Sequence, residues 1–141
     1  MKILAIMMVS HFVADFLLQS REMGKTKSTV FKVLCEHVII QYLTLWAFLL
    51  FFVGPTLAVE ISLCNALVHG LIDWNIWKLY KWSAKYRIEK RIDTHLFLKA
   101  DGAVVLADKW EYWEDHLFYT TIGIDQLLHG LTLVALAGLF L

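Results

Sequence analysis

The stretch that decides the fold is Ser62-Leu-Cys-Asn65-Ala-Leu-Val-His69-Gly-Leu-Ile-Asp73-Trp74. A histidine and an aspartate sit inside a long apolar run, and the polar positions 62, 65, 69 and 73 recur at helical spacing. Residues four apart on a helix differ by only about 40° around its axis, so these side chains form one stripe. All other faces of the segment are apolar. Ionisable groups in a bilayer cost roughly 2.5–3.5 kcal/mol each by insertion scales, so a stripe of this kind calls for buried partners on other helices.

Outward from this segment the same pattern recurs three times. His11 and Asp15 lie four apart in the first apolar block, as do Asp125 and His129 in the last, while the second block carries His37, Gln41 and Thr44 in register. The blocks run over about residues 3–19, 30–53, 57–80 and 117–141. Each is close to the roughly 20 residues that cross a 30 Å hydrocarbon layer, and the alternation over roughly 10 residues of a β-barrel strand is absent. Gly54-Pro55 alone separates the second and third blocks, which makes them antiparallel neighbours. Four helices, each with one polar stripe, bury all four stripes only by facing a common axis. The expected fold is therefore all-α: one domain over residues 1–141, a four-transmembrane-helix bundle with an amphipathic, Trp-rich insertion at about residues 81–116.

Composition agrees with a lipid solvent. The chain of 141 residues is 59% hydrophobic with a mean hydropathy of +0.60, against about 45–50% apolar in a soluble domain. Thirteen basic residues balance thirteen acidic ones, which removes any whole-chain attraction for nucleic acid. Cys35 and Cys64 lie in apolar blocks without CxxC spacing and read as packed thiols. Lys2 followed by an apolar run imitates a signal peptide, but His11 and Asp15 interrupt it and no small-residue cleavage site follows, so it reads as a retained helix. Basic residues crowd the first connection (Arg21, Lys25, Lys27, Lys32) and the exit of the third block (Lys78, Lys81, Lys85, Arg87, Lys90, Arg91). The positive-inside rule then puts both connections in the cytoplasm, with both termini on the other side of the inner membrane. Counted from that boundary at about 1.5 Å per residue, His11, His69 and His129 fall roughly 12–15 Å deep, and Asp15, His37 and Asp73 roughly 6–10 Å.

Four imidazoles and three carboxylates at similar depth match the ligand preferences of zinc, manganese or iron. The candidate ligands are His11, His37, His69, Asp73, Asp125 and His129. Asp15, Asp73 and Asp125 are the candidate catalytic carboxylates, and Asn65, Gln41 and Gln126 supply supporting polar groups. A metal held this way could activate water to hydrolyse a lipid-like or membrane-delivered ester. The same groups suit a proton- or ion-conducting protein, and a membrane modulator acting by partner binding would need no chemistry. Lys25 and Lys27 read either as topology signals or as ligands for a phosphate headgroup on a substrate. Glu36 points about 100° away from His37 and reads as snorkelling or pairing with a base of the first connection. His95 and His116 fall in the insertion, Asp101-Gly102 reads as a turn, and there is no phosphate-binding glycine loop, GxSxG or HExxH.

His11-Phe-Val-Ala-Asp15-Phe-Leu-Leu-Gln19 with Met23 and Lys25, then His37, then Asn65 to Asp73, then Asp125-Gln126-Leu-Leu-His129, resemble small bacterial and phage membrane proteins grouped as domain of unknown function 3307. The resemblance covers all four apolar blocks and not the insertion. It implies a membrane location in a bacterium or a phage-infected host, with His11, Asp15, His37, His69, Asp73, Asp125 and His129 as functional positions. It brings no activity with it.

Overall fold

The computed structural model of the chain describes residues 2–90 and 115–141. Every element among them is helical: α1 (Lys2–Phe12), continued by a π-helical turn (Val13–Leu17), α2 (Arg21–Thr26), α3 (Phe31–Val53), α4 (Pro55–Lys90) and α5 (His116–Phe140). Three of these, α3, the Pro55–Arg87 part of α4 and α5, are long and apolar enough to cross a membrane. Large apolar side chains stand exposed on each, among them Phe51 and Phe52 on α3, Leu67 and Leu71 on α4, and Leu131 and Leu139 on α5. An apolar surface of that extent is matched by lipid or protein rather than by water.

The first and third apolar blocks differ from their sequence boundaries. Block one, expected over 3–19, is helical only to Leu17. Its rise is at most about 24 Å, short of a 30 Å layer. Ser20 stops it by turning to extended backbone, where its hydroxyl accepts from the Met23 N–H at 3.1 Å and caps α2. Block three, expected to end near residue 80, continues as one helix to Lys90. Hydropathy falls after Tyr80, but no Gly or Pro interrupts the helix between residues 71 and 90, and the chain keeps its backbone ladder. The insertion expected from residue 81 therefore begins as an extension of α4. Its residues 91–114, including His95, Asp101-Gly102, Trp110, Tyr112 and Trp113, lie outside the described residues.

Gly54 turns α3 into α4 with φ +83°, a conformation open to glycine and unfavourable for other residues, and Pro55 then fills the first helical position, where no N–H is needed. The resulting hairpin is the backbone of the molecule, with α5 packed against α4 and α1 lodged against α3 and α5. Its interior is layered. At the Gly54 end, Met7, Leu45, Leu49, Ala58, Ile61, Leu133 and Leu136 form an apolar core. The middle layer is polar. At the far end, Trp77, Tyr80 and Phe118 pack with ring centroids 5.8–6.0 Å apart, Tyr80 edge to face with both of the others.

The far layer also locks α4 to α5. Arg87 reaches both oxygens of Asp115, Nη1 to Oδ1 at 3.2 Å, while Tyr80 donates to Oδ2 at 3.1 Å. Asp115 in turn caps α5 by accepting from the Leu117 N–H at 3.0 Å. Burial by itself raises the Asp115 carboxyl, but the Arg87 and Leu117 hydrogen bonds outweigh it and hold the group below the ordinary aspartate value.

Candidate metal centre

Between the two outer layers, His11 of α1, Asp15 of the π turn, His37 and Gln41 of α3, Asn65, His69 and Asp73 of α4, and Asp125 and His129 of α5 are all buried. Two local features let them meet. In the π turn the Leu18 N–H bonds to the Val13 carbonyl at 3.0 Å, five residues back, which widens the helix at Asp15; such turns concentrate at functional sites. At Gly70 an added Cβ would lie 2.9 Å from Val38 Cγ2, so glycine lets α3 and α4 approach where His37 and His69 face each other.

The four imidazoles form a continuous group. His69 and His129 stack at 3.9 Å between centroids, and His11 and His37 flank them at 5.0–5.4 Å. The ring nitrogens that point to the centre are the Nε2 atoms. Those of His37 and His69 are 2.9 Å apart. Among the described residues the Nδ1 atoms of His11, His37 and His69 meet no hydrogen-bond partner, so these rings spend their polar capacity on the centre.

Asp15 and Asp73 each present their two oxygens to two different sides. On the first side, Asp15 Oδ1 lies 3.1 Å from His37 Nε2 and 3.6 Å from His69 Nε2, and Asp73 Oδ2 lies 3.1 Å from both. On the second side, Asp15 Oδ2 lies 3.7 Å from His11 Nε2 and Asp73 Oδ1 lies 3.6 Å from His129 Nε2, which is itself 3.6 Å from Asp125 Oδ1. Two ligand atoms about 2.0–2.2 Å from a shared ion are separated by about 3.0–3.4 Å in tetrahedral or octahedral geometry. The observed edges, 3.1–3.7 Å, begin within that range and extend slightly beyond it. Three buried groups have ligand atoms all within 4.8 Å of one another and can hold a metal ion: Asp15, His37 and His69; His69, Asp73 and His129; and Asp15, Asp125 and His129.

The amides supply the frame. Gln41 donates to Asp15 Oδ1 at 3.0 Å, and Gln126 donates to Asp15 Oδ2 and to Asp125 Oδ2, each at 3.2 Å. Gln126 Oε1 also lies 3.4 Å from His11 Nε2. Asn65 is buried one turn away, with its side-chain nitrogen unpartnered.

Lys27 is the residue that helix spacing could not place. Read from sequence as a topology signal or headgroup ligand, it is 4% exposed, and its ammonium lies 2.9 Å from Asp73 Oδ2, 3.2 Å from His37 Nε2 and 3.8 Å from Asp15 Oδ1. The turn after α2 carries it there, with Ser28 buried beside it and accepting from Lys81 Nζ at 2.9 Å. One signal for it was available: three buried aspartates need positive charge close by. Lys25 remains exposed, as does Glu36, which pairs with Lys32 at 3.9 Å, and His116 is exposed at the start of α5.

Comparison with known proteins gives one family. The model for the family described as "Protein of unknown function (DUF3307)" matches residues 3–141. No curated protein and no solved structure matches the chain.

Proposed function

We propose that this chain, which belongs to the DUF3307 family, is an integral membrane protein built around a buried divalent-metal centre, and that it acts as a metal-dependent hydrolase on a lipid-like or membrane-delivered ester. The observation that carries the metal is the pair of carboxylates, Asp15 and Asp73, each with one oxygen on either side of a ring of imidazole Nε2 atoms, at ligand-to-ligand spacing. In this reading α1 is the fourth helix of the bundle, both basic connections face the cytoplasm and both termini face away from it. Zinc, manganese and iron are the ions whose preferences fit imidazole and carboxylate together.

A metal ion here would supply Lewis acidity and an activated water. The protein's part is to hold geometry and move protons. Gln41 and Gln126 fix the rotation of Asp15, and Gln126 that of Asp125. The aspartates accept the proton that an attacking water loses and return it to the departing ester oxygen. Protein purified in mild detergent carries at least one transition-metal ion per chain after stringent washing, and cleaves a short-chain lipid-like phosphate or acyl ester only while that ion is bound. Metal-free, folded protein unresponsive to added zinc or manganese refutes the proposal.

A second reading has one specific observation in its favour. Lys27 pairs with Asp73 at 2.9 Å, so part of the buried negative charge is balanced without any metal. In that reading the His/Asp chain relays protons or conducts an ion. Proteoliposomes separate the two: a pH or ion gradient dissipated by wild-type protein and not by His69→Ala favours conduction.

A further inference from the structure

We infer that Lys27 is a built-in cation of the centre, occupying one of its two sides and restricting it to a single divalent ion bound on the other, around His129, where the Asp15–Asp125–His129 and His69–Asp73–His129 groups meet. The inference rests on the metal reading above and sharpens it from a metal site to a mononuclear one.

The two sides are not equivalent. On the first, the ammonium of Lys27 is within 2.9–3.8 Å of Asp73 Oδ2, His37 Nε2 and Asp15 Oδ1, which are the atoms that would ligate an ion there together with His69 Nε2. A charged amine and a dication cannot both occupy that space. On the second side no lysine or arginine enters among the described residues. Instead, His129 Nε2 has no hydrogen-bond partner, nor do Asp73 Oδ1 and Asp125 Oδ1, each 3.6 Å from it; Asp73 Oδ2, also without a hydrogen bond, has the Lys27 ammonium at 2.9 Å, and these three atoms have no such cation. Orphaned buried polar atoms are costly, and a cation beside His129 satisfies its Nε2 together with a facing carboxylate oxygen.

Charge balance leads to the same count. Asp15, Asp73 and Asp125 bring three negative charges into a buried site, and Lys27 brings one positive charge. With neutral imidazoles, one dication makes the centre neutral. Two dications would leave a double positive charge in a low-dielectric interior, unless the lysine withdrew or anions entered. Sequence position suits the role. Lys27 comes from the short connection between α2 and α3, not from a helix of the bundle, so the second cation position is filled from outside the ligand-bearing helices.

The test is metal stoichiometry on full-length protein in detergent, loaded with manganese and washed. Wild type should hold about one ion per chain, as closed His/Asp sites do, with the six-line magnetic-resonance spectrum of an isolated ion. Lys27→Met should take up a second ion and show the broadened spectrum of a coupled pair, whereas Lys27→Arg should stay at one. Wild type with two ions, or folded Lys27→Met that still holds one, overturns the inference and leaves the metal reading standing. No metal in any variant overturns the metal reading, and this inference with it. Should Lys27→Met not fold, the wild-type count and spectrum decide the question alone.

Discussion

Asp73 offers the most informative perturbation, because it is the carboxylate on which both sides of the centre depend. Its Oδ2 meets Lys27, His37 and His69 at 2.9–3.1 Å and its Oδ1 faces His129 at 3.6 Å. Asp73→Asn keeps the shape and removes the charge. Without metal, the change leaves the buried ammonium of Lys27 with His37 Nε2 at 3.2 Å and, as its nearest carboxylate, Asp15 at 3.8 Å. Breaking a buried pair in this way costs about 3 kcal/mol. At about 4 °C per kcal/mol for a chain of this size, the melting temperature falls by about 12 °C. With metal, the difference widens. An ion present at 100 times its dissociation constant stabilises the native state by about 2.7 kcal/mol, and so raises the wild-type melting temperature by about 11 °C. Asp73→Asn should show little of that rise, since it removes a ligand common to both sides. The assay is thermal unfolding in detergent, followed by circular dichroism over a zinc or manganese titration. A purely structural network predicts the lower baseline and no metal response in either protein. A wild-type protein insensitive to metal, or an Asp73→Asn protein that keeps the full metal-dependent rise, refutes a ligand role for Asp73.

Other consequences concern the framework around the centre. Asp115→Ala removes both a helix cap and the Arg87 pair, costing about 1 kcal/mol for the cap and about 1.5 kcal/mol for the partly buried, charge-assisted pair, measurable as a lower melting temperature at neutral pH. Because the folded-state Asp115 carboxyl lies below its ordinary value, its contribution is complete above the ordinary aspartate range and is lost as pH falls through the depressed value; stability of wild type and Asp115→Ala should converge only in strong acid. Gly70→Ala drives a Cβ to 2.9 Å from Val38 Cγ2 and should cost about 1–3 kcal/mol, with Val38→Ala restoring most of the loss in the double variant. In membranes, cysteine labelling at Ser83 and at an added C-terminal residue, after replacement of Cys35 and Cys64, should occur from opposite sides; labelling from one side refutes the proposed topology.

The helices and their polar faces were legible in the sequence because both are local properties. His69 and Asp73 share a face, as do Asp125 and His129, wherever a helix forms, and Gly54-Pro55 turns a chain whatever packs around it. Segment ends were less legible. Hydropathy measures solvent preference, not the backbone ladder, so it ended α4 near Tyr80 when the helix runs to Lys90, and it extended the first block past the π turn that ends at Leu17. Pairings between helices depend on rotation and depth, which no single segment contains. Tertiary structure alone decided that Gly70 would bring His37 to 2.9 Å from His69, that Gln41 and Gln126 would meet on Asp15, and that Arg87 and Asp115 would join α4 to α5. It also decided the place of Lys27. A lysine in a basic connection has the composition of a topology signal, and its long flexible side chain leaves no periodic trace. Only the packed helices, by bringing Asp73 and Asp15 within its reach, made a buried ion pair with Asp73 more favourable than solvation of the ammonium in water.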